Sequence, residues 1–240
     1  MPGPDHTHTI RTADRIGLYA AIATTILTII TFALAMTAIP NSGAFCPGDC
    51  REYPYLDTID QYPGDYLWMI PVLPLLLSYM ILMVAVYNGV DIRRKIFGQI
   101  GILFTAAAVF VLVVNYVVQL AVVTASLMNR ETEGIALLTQ YNPRGIFIIL
   151  EEFGYLMIGL SFLFTACSLG TDVRIKRVIR RTYFTGFILS MLSFAVIMSV
   201  YGIGREDRFE VAVITIDWLV LIITGIMLSL YFRKRLNAAA

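Results

Sequence analysis

Six apolar runs of twenty or more residues dominate the chain and leave few folds open to it. A helix rises ~1.5 Å per residue and hydrocarbon is ~30 Å thick, so ~20 mostly apolar residues make one crossing. Runs at about 16–39, 66–90, 100–128, 146–169, 183–203 and 211–232 meet that length. None alternates with period two, which excludes a closed barrel of strands. The expected fold is all-α: a polytopic membrane protein in which residues 1–240 form a single compact bundle of six transmembrane helices.

Composition supports this. The 240 residues are 58% hydrophobic and 15% charged, against about 45–50% and about 25% in soluble domains. A disordered chain, a basic nucleic-acid binder and an ordinary soluble enzyme core are excluded on these figures. The first apolar run covers about 24 residues, longer than the about 7–15 of a signal-peptide core, so it is expected to be retained.

Lys and Arg predict the orientation, because cytoplasmic loops hold them. Thirteen of the 18 basic residues flank the first run's start, the ends of the second and fourth, and the end of the sixth, with four acids beside them. The opposite side holds five arginines and ten acids, among them Glu206, Asp207 and Glu210. These counts predict faces of +9 and −5. Both termini are therefore expected in the cytoplasm, with an extracytoplasmic loop at 40–65 and a plasma-membrane location.

Two junctions on the basic side share the pattern G-x-D-[IV]-R-x-K, from Gly89 to Lys95 and from Gly170 to Lys176. The adjoining runs do not align, so the likeness is read as a shared membrane exit, a helix-ending Gly followed by cations. In the first run Gly17, Ala21, Thr24, Thr28, Thr31 and Ala35 recur at helical spacing and predict a close-packed face, as do Gly186, Ser190 and Ser193 in the fifth and Gly225 and Ser229 in the sixth. Pro71 and Pro74 predict a bend in the second run. Tyr66 and Trp68 fit an interfacial aromatic belt.

Cys46 and Cys50, with Pro47 and Gly48 between them, lie in the outer loop and are expected to form a disulfide that shapes it locally. A redox relay would need a second thiol pair, and Cys167 stands alone. His6 and His8 both sit in the leading tail, read as a disordered polar lead-in, so neither a metal site nor a haem site is expected.

Ionisable groups inside hydrocarbon are costly, and each is a candidate functional residue. Glu151, Glu152 and Asp217 lie about one and a half turns inside the fourth and sixth runs, while Asn115 and Gln119 share a face of the third, and Tyr155 follows Glu151 by four. These six residues are the candidate ligand- or ion-binding set. Glu151 and Glu152 are ~100° apart on a helix, so one is expected to line a cavity and the other to meet the interface, loop arginines or the bundle seam. Asn142 is expected to cap the fourth helix and Pro143 to begin it.

The sequence thus predicts a small transporter or ligand-binding protein with an acidic, polar cavity in the outer half. Its candidate ligands are a cation, a proton or an amphiphile, and its partners membrane lipids, a second copy or another membrane protein. Two other readings are a non-catalytic membrane-complex subunit or sensor, and an intramembrane enzyme acting on lipid. No nucleophile–base pair, phosphate cradle or dinucleotide fingerprint appears, so no cofactor is expected and the enzyme reading has no motif to carry it.

Overall fold

In a computed structural model, which describes residues 4–38 and 40–238, the chain is a bundle of six long helices. We label them α1 (Pro4–Ala35), α2 (Met69–Asn88), α3, α4 (Ile146–Ser168), α5 (Arg174–Tyr201) and α6 (Arg208–Ala238). The third, α3, joins Lys95–Val117 and Thr124–Met128 through a π-helical segment, Val118–Val123. All six contain windows apolar and long enough to cross a membrane, and no strand occurs among the described residues. Helix α1 runs back through the leading tail, although the side chains of His6 and His8 lie outside the described residues.

Successive helices pack side by side, α6 closes the ring against α1, and α4 also reaches across to α6. Small residues allow the close approaches. Thr24, Thr28 and Thr31 on α1 are fully buried along with Ala21, so the expected small-residue stripe is the face that α1 turns inward. The outer surface is the reverse, with Ile26, Leu103, Phe110, Leu192 and Val196 exposed. Gly154 is the tightest contact between α3 and α4: a Cβ there would lie 2.5 Å from Leu112 Cγ, and Leu112 is fully buried. Gly154→Val is therefore expected to destabilise the bundle by about 1–3 kcal/mol through overpacking. A lowered melting temperature of the purified variant would register it.

Three local expectations change. Pro71 stands at the third position of α2, where a backbone N–H has no intrahelical partner, so only Pro74 removes a hydrogen bond and the helix continues through it. Asn142 does not cap α4. Its Oδ1 accepts from Arg144 N–H at 3.0 Å and its Nδ2 donates to Ala136 O at 2.7 Å, closing a turn before Gly145, the residue at the capping position. Tyr66 is 1% exposed and Trp68 half-buried, so neither forms an outer belt; both pack into the bundle end.

The loop after α1 folds over that end. Cys46 and Cys50 are disulfide-bonded with Cα atoms 6.0 Å apart. Arg51 bridges Asp57 at 2.6 Å and Asp60 at 2.5 Å, and Asn41 donates to Gln61 at 3.2 Å and Asp65 at 2.8 Å. Ala44 N–H donates to Asp207 Oδ1 at 2.8 Å, pinning the loop to the turn between α5 and α6. Gly43 makes that contact possible twice over. Its φ of +73° suits glycine, and a Cβ would lie 2.5 Å from the Asp207 carboxylate.

Candidate functional site: an acidic chamber beside an apolar groove

The polar groups of this loop-covered end fall into connected sets. On α4, Glu151 is fully buried and accepts a hydrogen bond from the Tyr116 hydroxyl at 2.6 Å. Tyr116 lies 3.3 Å from the Tyr155 hydroxyl, which in turn accepts from Trp218 Nε1 at 3.2 Å. Glu151 also meets Glu210, in the first turn of α6, carboxyl to carboxyl. The second Glu151 oxygen, Oε2, has no hydrogen-bond partner among the described residues. The chain of contacts from Glu210 through Glu151, Tyr116 and Tyr155 to Trp218 ties α3, α4 and α6 together.

Glu152, one residue on and about 100° around the helix, faces elsewhere. Its two oxygens receive a bidentate fork from Arg205, with Nη1–Oε1 2.6 Å and Nη2–Oε2 2.5 Å. Both partners are mostly withdrawn from solvent, so Glu152 ties α4 to the α5–α6 turn and is not free for a ligand.

The remaining expected residues separate. Asn115 is buried and donates to the Phe147 carbonyl at 3.0 Å, a helix-to-helix bond. Gln119 lies in the π segment, where its fully buried amide has no direct hydrogen-bond partner. It faces the Tyr66 hydroxyl, and Tyr66 also approaches Gln140 and Tyr141. Asp217, fully buried two turns deeper on α6, receives only Ser190 Oγ, at 3.4 Å; its second oxygen meets no donor among the described residues. Glu151 and Tyr155 thus share one network, while Glu152, Asn115, Gln119 and Asp217 each lie in a different setting.

Two cavities meet at Glu210. One, of about 200 Å³, is a chamber lined by the carboxylates Asp65, Asp207 and Glu210, with Asn41, Gln140, Tyr141 and Trp68 among its other walls. The second, of about 420 Å³, is a groove between α1 and α6 lined by Phe32, Met36, Phe45, Ile214 and Trp218. Trp68, Asp207 and Glu210 line both. No Lys or Arg lines either one. Asp65 accepts from Asn41 and from Tyr141 at 3.1 Å, Asp207 accepts from the Ala44 amide, and the Arg208 guanidinium, outside the lining, also favours the Asp207 charge. Burial pushes the Asp207 carboxyl up from its ordinary 3.8, and the Ala44 N–H works against that shift. Trp68 and Trp218 pack edge to face with centroids 6.3 Å apart, and Phe32 meets Trp218 at 5.6 Å, giving the groove an aromatic mouth.

Glu210, Asp207, Tyr116 and Trp218 are the members that sequence reasoning does not single out. A signal for Glu210 exists: it precedes Asp217 by seven residues, two turns along nearly the same face of α6. No group of three or more His, Cys, Asp or Glu side chains suited to a metal ion occurs among the described residues. Comparison of the chain with protein-family models, with curated proteins and with solved structures gave no match.

Proposed function

We propose that the protein is a six-span integral membrane protein that binds a cationic amphiphile. The ligand's ammonium-type head enters the acidic chamber and its apolar tail lies in the groove between α1 and α6. The observation that carries this reading is the continuity of the two cavities, which share Trp68, Asp207 and Glu210: the chamber is lined by the carboxylates Asp65, Asp207 and Glu210 with no lining cation, and the groove beyond them by aromatic and aliphatic walls. Carboxylates attract the charge, and aromatic faces favour alkylammonium groups. The apolar exterior and buried polar interior support insertion in a bilayer, where helices associate through small and polar residues. The excess of Lys and Arg at the opposite end supports a cytoplasmic location for both termini and an outside location for the cysteine loop.

The protein contains two tryptophans, and both line the groove, so tryptophan fluorescence, excited selectively over the tyrosines, reports on this site. Titration with a twelve-carbon trimethylammonium is expected to give a saturable change, absent with an uncharged or sulfated amphiphile of equal chain length. An equal response to all three head groups would remove the basis of the proposal.

Binding is also expected to depend on pH with a definite sign. Asp207 protonates above the usual aspartate range, and protonation removes the charge that attracts the head group. Affinity should fall as pH is lowered, beginning above pH 3.8, and Asp207→Asn should flatten the upper part of that profile. Fluorescence titrations across pH would measure both.

A further inference from the structure

The end of the bundle opposite the cysteine loop carries a further cavity, of about 700 Å³, with a different chemistry. Its walls are the two junctions that share the G-x-D-[IV]-R-x-K pattern, together with the end of α6. From the first junction come Asp91, Arg93 and Arg94, from the second Asp172 and Lys176, and from α6 Arg235. The similar sequences thus face one another across a single space. Arg94 Nη1 donates to the Leu169 carbonyl at 2.7 Å and ties the two junctions together.

Four cations face two carboxylates here, and the carboxylates are turned to local work. Asp91 Oδ1 accepts from the Arg93 backbone N–H at 2.9 Å, and Asp172 lies 3.4 Å from Lys176. Arg235 is held by Asp14 of α1 at 3.1 Å and by the Tyr231 hydroxyl at 3.2 Å. With Asp14 counted, the surroundings keep one positive charge, the complement of a phosphodiester. The Arg93 guanidinium is exposed and makes no hydrogen bond within the protein among the described residues, so its five donors remain for a ligand.

We propose that this cavity is a phosphate-binding site, formed between the paired junctions, in which Arg93 and Lys176 hold the phosphate of a phospholipid head group or of a soluble phosphate ester. Arg supplies two parallel donors to phosphate oxygens and Lys a mobile point charge. The fixed Arg94 and Arg235 shape the walls. The site is independent of the acidic chamber at the other end.

The test uses the full chain in neutral detergent and follows its melting temperature. One arm adds glycerol 3-phosphate; the other adds phosphatidylglycerol in mixed micelles, with diacylglycerol as its phosphate-free counterpart. Wild-type protein should be stabilised by a phosphate-bearing probe and not by diacylglycerol. Stabilisation by the lipid alone assigns a head-group site, and stabilisation by glycerol 3-phosphate assigns a site for soluble esters. Arg93→Gln with Lys176→Gln should weaken the apparent affinity at least about tenfold, the loss of one or two charge-assisted hydrogen bonds. Arg233→Gln with Lys234→Gln removes the same charge outside the cavity and should leave it unchanged. Arg93→Gln alone provides the reading should the double variant fold poorly, since Arg93 holds no other side chain. Absence of a phosphate response, or equal weakening by both double variants, would overturn the proposal.

Discussion

Arg205→Ala is expected to lower stability by about 3–5 kcal/mol, the cost of leaving a buried carboxylate without its partner. The reason is geometric. Glu152 sits on α4, inside the run that packs against the rest of the bundle, and both its oxygens depend on the Arg205 guanidinium. Truncating the arginine leaves a mostly buried carboxylate without its fork. Removing both partners together costs less, because no unpaired charge remains. A double-mutant cycle with Glu152→Gln, Arg205→Ala and the pair, read by thermal or denaturant unfolding, should therefore show strong positive coupling. Additive effects would mean that the fork contributes little. Ligand affinity should change only slightly in any of these variants that remains folded, since neither residue lines the chamber or groove.

The opposite pattern is expected for Asp207→Asn combined with Glu210→Gln. These substitutions keep side-chain size and hydrogen-bonding capacity but remove the two carboxylates that border both cavities. Stability should be preserved or raised, because burial opposes the charged form of Asp207 and a neutral amide avoids that cost. Affinity for a long-chain trimethylammonium should fall at least about tenfold, or about 1.4 kcal/mol or more. Affinity for an uncharged amphiphile should remain the same. Loss of both together would instead indicate collapse of the groove.

The six-helix architecture was legible because twenty-residue apolar runs have one inexpensive way to satisfy their backbones. Helix ends were less so. Helix α5 begins at Arg174, nine residues before the apolar run at 183, because arginine and lysine are good helix formers and extend the helix past its greasy part. The apolar run extends to 39, yet α1 ends at Ala35 and Met36, Thr37 and Ala38 form turns. The cysteine pairing followed from spacing and loop composition alone.

The site was legible in its depth and not in its membership. Glu151 and Glu152 were expected to point differently, and one does meet a network while the other meets a loop arginine. Nothing in the sequence says which is which, because that depends on how α4 is rotated against α3 and α6. By position Glu210 counts only among the acids on the less basic side, although its carboxyl reaches toward Glu151. Asp217 shares its helix face, yet lies deep enough to find Ser190 of α5 rather than the chamber. Gln119 was visible as a polar residue in an apolar run, but the π segment that turns its amide toward Tyr66 has no sequence signature we could read.

Photolabelling with an alkylammonium carrying a diazirine on its tail, followed by mapping of the adducts, tests the bound geometry most directly. Adducts should concentrate on Phe32, Met36, Ile214 and Thr215, along the groove, and should disappear when an unlabelled trimethylammonium competes. They should also be lost from the Asp207→Asn, Glu210→Gln protein. Adducts spread evenly over the exposed apolar faces of α3 and α5, indifferent to competitor and to those two carboxylates, would contradict the account.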